Sequence, residues 1–338
     1  MGSGTRASWP RGHPDQGVRP TIPNAMRLIF LGTPAFAVPT LERIVAAGHS
    51  VLAVVTQPDR PRGRGQNAAA PPVKQAALRL GLPVYQPERV RRPEAVEFLR
   101  GMPVDAMVVV GYGQIIPQSI IDMAPLGIIN VHGSLLPHYR GAGPIQWAIL
   151  NGETRTGVTT MRIDAGLDTG DMLLKAETGI GPDENAVELG QRLAVMGADL
   201  LVETLAGLAE GRIAAEKQDN AQATYAPLLK KEDGRIDWTR DARAIHNQVR
   251  GLQPWPGAST AFRGQALHIW KSRLWNGTAP PSASPGRLAG RKPPVVTCGT
   301  GALELVEVQL EGRTRMLAAD FANGQRLTEN ESLGDSRA

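Results

Sequence analysis

From Met26 onward, short apolar runs alternate with stretches whose apolar residues recur at helical spacing. Leu28–Leu31 is apolar throughout and stops at Gly32-Thr33-Pro34. Phe36, Val38, Leu41, Ile44 and Val45 then keep a helical period up to Gly48, and Val51–Thr56 is a second apolar run. Strand, helix and strand in this order read as a parallel βαβ unit. The pattern recurs with a helix at Ala76–Leu80, a strand at Val84–Tyr85, a helix at Glu94–Arg100 and strands at Ala106–Val110 and Ile128–Val131. A run with no polar alternation, such as Ala106–Val110, belongs to a strand covered on both faces. The expected fold is α/β, a doubly wound, mostly parallel, Rossmann-like sheet. Such sheets take ligands in the crevice outside the carboxyl ends of their strands.

Further along, Pro144–Leu150 reads as a helix, with Gly157–Ile163 and Met172–Lys175 as strands. Asp183–Gly211 carries Leu189, Leu193, Met196, Leu200, Leu201, Leu205 and Leu208 at helical spacing. It predicts a long helix whose acidic start suits the helix dipole. Beyond Leu228 the rhythm shortens. Ala258–Phe262, Leu267–Lys271, Val295–Cys298 and Leu303–Leu310 are short strand candidates between Gly/Pro loops, the pattern of a small β-barrel. The expected division is a domain over 26–211, a linker over 212–227 and a second domain over 228–333. Residues 1–25 show no hydrophobic period and hold no apolar run of signal-peptide length; they are expected to be a disordered extension.

Composition narrows the class. The 338 residues are 42% hydrophobic and 20% charged, which is globular rather than disordered composition. One cysteine, Cys298, excludes a disulfide framework and any zinc site built from several thiolates. No apolar run approaches the roughly 18–20 residues of a membrane span, so a cytoplasmic protein is expected. The net charge of +5 is uneven: 26–227 is slightly acidic, whereas 228–338 is net basic. No acidic residue stands between Asp241 and Glu304, a stretch that holds eight Lys and Arg residues. Such asymmetry suggests a polyanion partner for the second domain, with Arg250, Lys271 and Arg273 as candidate contacts. Trp255, Trp270 and Trp275 either stack on bases or fill the barrel core, and the core is the better reading.

The candidate chemistry lies at a strand end. Asn130 and His132 are two residues apart and share one face of their strand. Gly133 lets the chain turn sharply, and Pro137 stiffens the apolar loop Leu135-Leu136 beside them. The later loop Asp164–Met172 holds three Asp residues and two Gly, and one Asp there is suited to orienting His132. No nucleophile elbow is present, because Ser134 stands in H-G-S-L rather than G-x-S-x-G. No metal site is expected. An amide, an imidazole and a carboxylate without a nucleophile suit direct transfer between two bound substrates.

The run N-V-H-G-S-L-L-P-H-Y-R-G-A-G-P-I-Q-W from Asn130, with G-V-T-T-M-R-I-D-A-G-L-D-T-G-D-M from Gly157, resembles the signature of the folate-dependent formyltransferases. The resemblance implies that Asn130, His132 and Asp168 are catalytic. It also implies that Ser134, Leu135, Leu136 and Pro137 contact folate, and that the C-terminal domain is an OB-like barrel. Four further segments are similar to the tRNA-directed branch: the start at Met26, T-Q-P-D-R-P-R-G-R-G from Thr56, Y-A-P-L-L-K-K-E-D-G-R-I-D-W from Tyr225, and R-G-L-Q-P-W-P-G-A from Arg250. The implied reaction moves a formyl group from 10-formyltetrahydrofolate to the amino group of methionine on initiator tRNA. The implied enzyme needs no metal and acts as a monomer, and Arg60, Arg62 and Arg64 are the implied contacts of the first domain with tRNA. A small amine or a nucleotide sugar is the alternative acceptor. The chain departs from the family pattern at Gln66–Ala70, where the usual lysines are absent.

Overall fold

The computed structural model describes residues 25–62, 67–277, 284–328 and 331–334. The first part runs β1 (Arg27–Gly32), α1 (Val38–Ala46), β2 (Ser50–Val55), β3 (Arg60–Arg62), β4 (Asn67–Ala69), α2 (Pro72–Arg79), β5 (Val84–Tyr85), α3 (Pro93–Arg100), β6 (Ala106–Val110), α4 (Gln118–Ile121) and β7 (Ile128–His132). It continues with β8 (Arg140–Gly141), α5 (Pro144–Leu150), β9 (Arg155–Arg162), β10 (Met172–Gly179), α6 (Ala186–Ala209) and β11 (Tyr225–Ala226). The second part holds α7 (Ala242–Gly251), β12 (Ala258–Phe262), β13 (Gln265–Leu274), β14 (Leu288–Arg291), β15 (Pro294–Thr297), β16 (Ala302–Leu310), β17 (Met316–Leu317) and α8 (Ala318–Gly324).

The main sheet has the order β10-β9-β7-β6-β1-β2-β5. β7, β6, β1, β2 and β5 are parallel, and β9 and β10 add an antiparallel edge. Leu28 and Phe30 of β1 pack with α1, α2 and α6, while Ile29 and Leu31 pack with α3 and α4. Both faces are therefore covered, which is why these strands carry no polar alternation. α6 lies close to the sheet at Gly197, where a Cβ would come within 2.6 Å of the Val131 side chain.

The long helix begins later than its acidic residues suggest. Asn185 is the N-cap: its side-chain oxygen accepts from the N–H groups of Val187 and Glu188, and the Glu188 carboxylate accepts from the Asn185 N–H. This capping arrangement satisfies three backbone donors that would otherwise be orphaned. Glu184 is drawn off instead to Arg192 and to the Gly181 N–H. In the basic stretch after Thr56, β3 pairs with β4 in antiparallel register.

In the second part, β12-β13-β16-β15-β14 form an antiparallel path, with β17 on β16. The two edge strands are joined through the segment 331–334. The Leu288 N–H donates to Glu331 O on one side, and the Gly334 N–H donates to Ala261 O on the other. Ion pairing of Arg263 with Glu331 pins this strap. Trp238 is the buried indole of this core, whereas Trp255 is 55% exposed and Trp270 and Trp275 are half-buried. The expectation that the latter three fill the core is corrected here. Trp255 lies on the exposed turn that follows α7, and Trp270 alternates with the buried Leu267 and Ile269 of β13.

Candidate active site

β7 ends between β6 and β9, inside the sheet, so its carboxyl end opens into the crevice. Asn130 and His132 lie there on one strand face, 8% and 6% exposed. Among the described residues, no protein group hydrogen-bonds the Asn130 side-chain amide. An amide held without a protein partner at a cleft floor is set to receive a ligand group.

His132 is oriented from both ends. Its Nε2 lies 2.9 Å from the Tyr139 carbonyl oxygen. A carbonyl can only accept, so Nε2 carries a proton in this contact. Nδ1 faces Asp168 Oδ2 at 3.7 Å. That separation suits an ion pair or a bridging group rather than a direct hydrogen bond. The same carboxylate oxygen accepts from the Gly141 N–H at 2.9 Å. The Asp168 backbone is left-handed, with φ of 51°. The structure thus brings Asn130, His132 and Asp168 to one crevice.

The loop 134–137 is fastened to β9. Thr159 Oγ1 donates to Ser134 O and accepts from the Leu136 N–H. Ser134 Oγ donates to His138 O at 2.6 Å, which commits the hydroxyl. Leu136 turns inward onto Met161 and Met172, and Pro137 is buried, so Leu135 is the half-buried apolar side chain of the loop.

Several residues that frame the site carry no sequence signal of their own. Tyr139 supplies the carbonyl that holds His132. Its hydroxyl donates to Glu153 at 2.6 Å, and burial together with this bond pushes its pKa up to about 12. Thr224 Oγ1 accepts from the Tyr139 N–H, and β11 pairs with β8 in parallel. Arg140 and Gln218 are both buried beneath the Asp168 loop. The stretch expected as a linker therefore also forms a wall of the crevice. Cys298 lies in the second core, and burial pushes its thiol up to about 12. Among the described residues, no three His, Cys, Asp or Glu side chains are grouped to hold a metal.

The expected tRNA contacts fall in different settings. Arg60 is exposed on β3, while Arg64 and the Arg62 side chain lie outside the described residues. Lys271 and Arg273 are exposed on β13, directly across from Glu307 and Glu304. Arg250 is buried, and its expected role as a surface cation is corrected. Its guanidinium donates to Asn247 Oδ1 and to the carbonyls of Gly181 and Glu184. That places Arg250 in the seam between the two parts of the molecule. The stretch without acids is mixed in space, because Glu304, Glu307 and Glu331 fold back onto it.

Residues 26–205 match the Formyl transferase family, and residues 228–326 match the Formyl transferase C-terminal domain. This chain belongs to the formyl transferase family. A methionyl-tRNA formyltransferase of Solibacter usitatus is 76% identical over 92% of this chain and 99% of its own length. One from Citrifermentans bemidjiense is 52% identical over 93% of this chain and 98% of its own. Among solved structures, an N-formyltransferase of Helicobacter canadensis, in complex with folinic acid and dTDP-3-aminofucose, shares the fold. Its TM-score is 0.63 at 20% identity, over 83% of this chain and 98% of that one.

Proposed function

We propose that this chain transfers a formyl group from 10-formyltetrahydrofolate to the α-amino group of methionine on initiator methionyl-tRNA. Relatives 76% and 52% identical over nearly their whole length support the acceptor, and the uncommitted Asn130 amide beside His132 and Asp168 carries the chemistry. When bound, the folate supplies the formyl group on N10. An α-amino group with a pKa of roughly 7.7–8 is partly neutral near pH 7 and needs little activation. The demand falls on the carbonyl oxygen, which gains negative charge as the new C–N bond forms. The Asn130 amide N–H and the His132 Nδ1–H are the donors for that oxygen. His132 Nδ1–H would give its proton to the departing folate nitrogen, and the proton shed by the amine would restore it by way of Asp168. Leu135 offers the apolar surface for the flat folate ring, on the loop 134–137. Ser134 and Cys298 are committed or remote, so no covalent intermediate on the protein enters the scheme.

We divide the labour between a catalytic unit over 26–211 and a tRNA-binding barrel over 228–333, in a cytoplasmic monomer. Arg60, Arg62, Arg64, Lys271 and Arg273 are the proposed phosphate contacts. Among the described residues, no helix is long and apolar enough to cross a membrane. Asn130→Ala should lower kcat by roughly 10²–10³-fold, the loss typical of one oxyanion donor, with tRNA affinity unchanged. The assay is formylation of charged initiator tRNA, run beside small amines and nucleotide sugars. Preference for a small amine, or full turnover by the folded Asn130→Ala protein, would refute the reading.

A further inference from the structure

Gln218 lies in the connecting stretch, 4% exposed, and its amide is engaged on both sides. Nε2 donates to the carbonyls of Asp168 at 2.8 Å and Gly170 at 2.7 Å. Oε1 accepts from Arg140 Nε at 2.9 Å. Arg140 is itself 2% exposed, and its Nη2 donates to Asn220 Oδ1 at 3.0 Å. Among the described residues, no carboxylate pairs with this guanidinium. A buried cation matched only to neutral oxygens costs stability. What the arrangement delivers is a Gln218 amide with one allowed orientation, its two donors aimed at the Asp168 loop.

That loop needs holding. Asp168 sits at a φ of 51°, a region few non-glycine residues adopt. Its backbone state decides where its carboxylate points, and the observed state sets Oδ2 against the Gly141 N–H and 3.7 Å from His132 Nδ1. Gln218 grips the loop at Asp168 itself and at Gly170, one residue beyond its neighbour.

We infer that Gln218, clamped by Arg140, is a positioning residue for formyl transfer: it holds the Asp168 loop in the backbone state that aims the carboxylate at His132. The inference rests on the proposed roles of His132 and Asp168. Gln218→Glu keeps side-chain length and the acceptor for Arg140, but sets oxygens against the two loop carbonyls. Its kcat should fall about 10²-fold, as expected when a reacting group moves by about 1 Å. The KM values for methionyl-tRNA and for the folate donor should stay within about two-fold of wild type, the split that marks loss of transition-state contacts alone. Gln218→Ala, which adds no charge, should show the same split. Arg140→Lys, which loosens the clamp and leaves Gln218 in place, should show it with a smaller loss. Asp168→Ala is measured alongside. An inactive Asp168→Ala beside a folded Gln218 variant of normal kcat overturns the inference, as does a kcat loss matched by rises in both KM values. An active Asp168→Ala overturns the reading of the site instead.

Discussion

Replacing Arg250 by Met separates two roles that the residue cannot combine. A surface cation on a phosphate would contribute one ionic contact to tRNA binding. The structure instead gives its guanidinium four hydrogen bonds: two to Asn247 Oδ1, at 3.0 and 2.9 Å, and two across the seam, to Gly181 O at 3.2 Å and Glu184 O at 3.0 Å. Hydrogen bonds to a charged group are worth about 1.5–3 kcal/mol each. The variant recovers the cost of burying the cation, which offsets a large part of that sum. It also leaves two backbone carbonyls and an amide oxygen in the seam short of donors. The balance is a loss of roughly 2–3 kcal/mol, comparable to stranding one or two buried acceptors. For a chain of 338 residues that lowers Tm by about 3–5 °C, from an unfolding entropy of about 2.1 cal/mol/K per residue. Two measurements decide: thermal melts, and tRNA affinity against salt concentration. The seam role lowers Tm and leaves the salt slope of tRNA binding unchanged. A normal Tm with a slope reduced by about 0.7–0.9 would show that Arg250 holds a phosphate after all.

His246 is 4% exposed, and burial holds its imidazole below the ordinary 6.5, with Arg250 and Arg243 adding to the effect and the Pro182 carbonyl and Asp183 opposing it. The folded state therefore binds fewer protons than the unfolded chain just below pH 6.5. Its contribution is complete above the unfolded pKa and is lost as pH falls through the folded value. Melts should show wild type losing stability relative to His246→Gln on acidification, and a constant difference would contradict this. Gly141 has a φ of 118°, and a Cβ there would stand 2.7 Å from Ala226 O. Gly141→Ala should cost about 1–3 kcal/mol in urea unfolding. It should also lower kcat, since the Gly141 N–H anchors Asp168; an active, fully stable variant would count against that geometry. Cys298, buried with its thiol pushed up to about 12, should resist thiol reagents until the protein unfolds. Rapid labelling of the folded enzyme would show that the second core opens.

The parallel sheet is readable in the sequence because burial on both faces leaves an unbroken apolar run. Ala106–Val110 keeps its expected bounds for that reason, and the strand expected at Ile128–Val131 runs one residue further, to His132. Asn130 and His132 are readable because strand period and strand-end position are local properties. Arg140 and Gln218 are not, since their contact spans 78 positions and follows no period. The start of α6 is misjudged from Asp183 and Glu184 because side-chain geometry, not charge, selects Asn185 as the cap. The acid-free stretch overstates the basicity of the barrel, because Glu304 and Glu307 pair across β13 from a later strand.

The crevice is not a property of the first sheet alone. The family match of the first part ends at residue 205, yet Gln218 and Thr224 beyond it hold the Asp168 loop and the Tyr139 backbone. Directly after Thr224 the same stretch pairs β11 with β8, and the Pro227 carbonyl accepts from Trp147 Nε1 on α5. The barrel then begins. It is tied down a second time where α7 lies against α5, with Arg250 and His246 bonded to carbonyls of 181–184. A barrel on a loose tether would present a bound tRNA at many distances from Asn130. Two attachments, one of them built into the site wall, remove most of that freedom before the tRNA arrives. On the proposed division of labour, the 3′ end of a barrel-bound tRNA would reach the crevice as an intramolecular partner, with the orientational entropy of meeting His132 already met in folding.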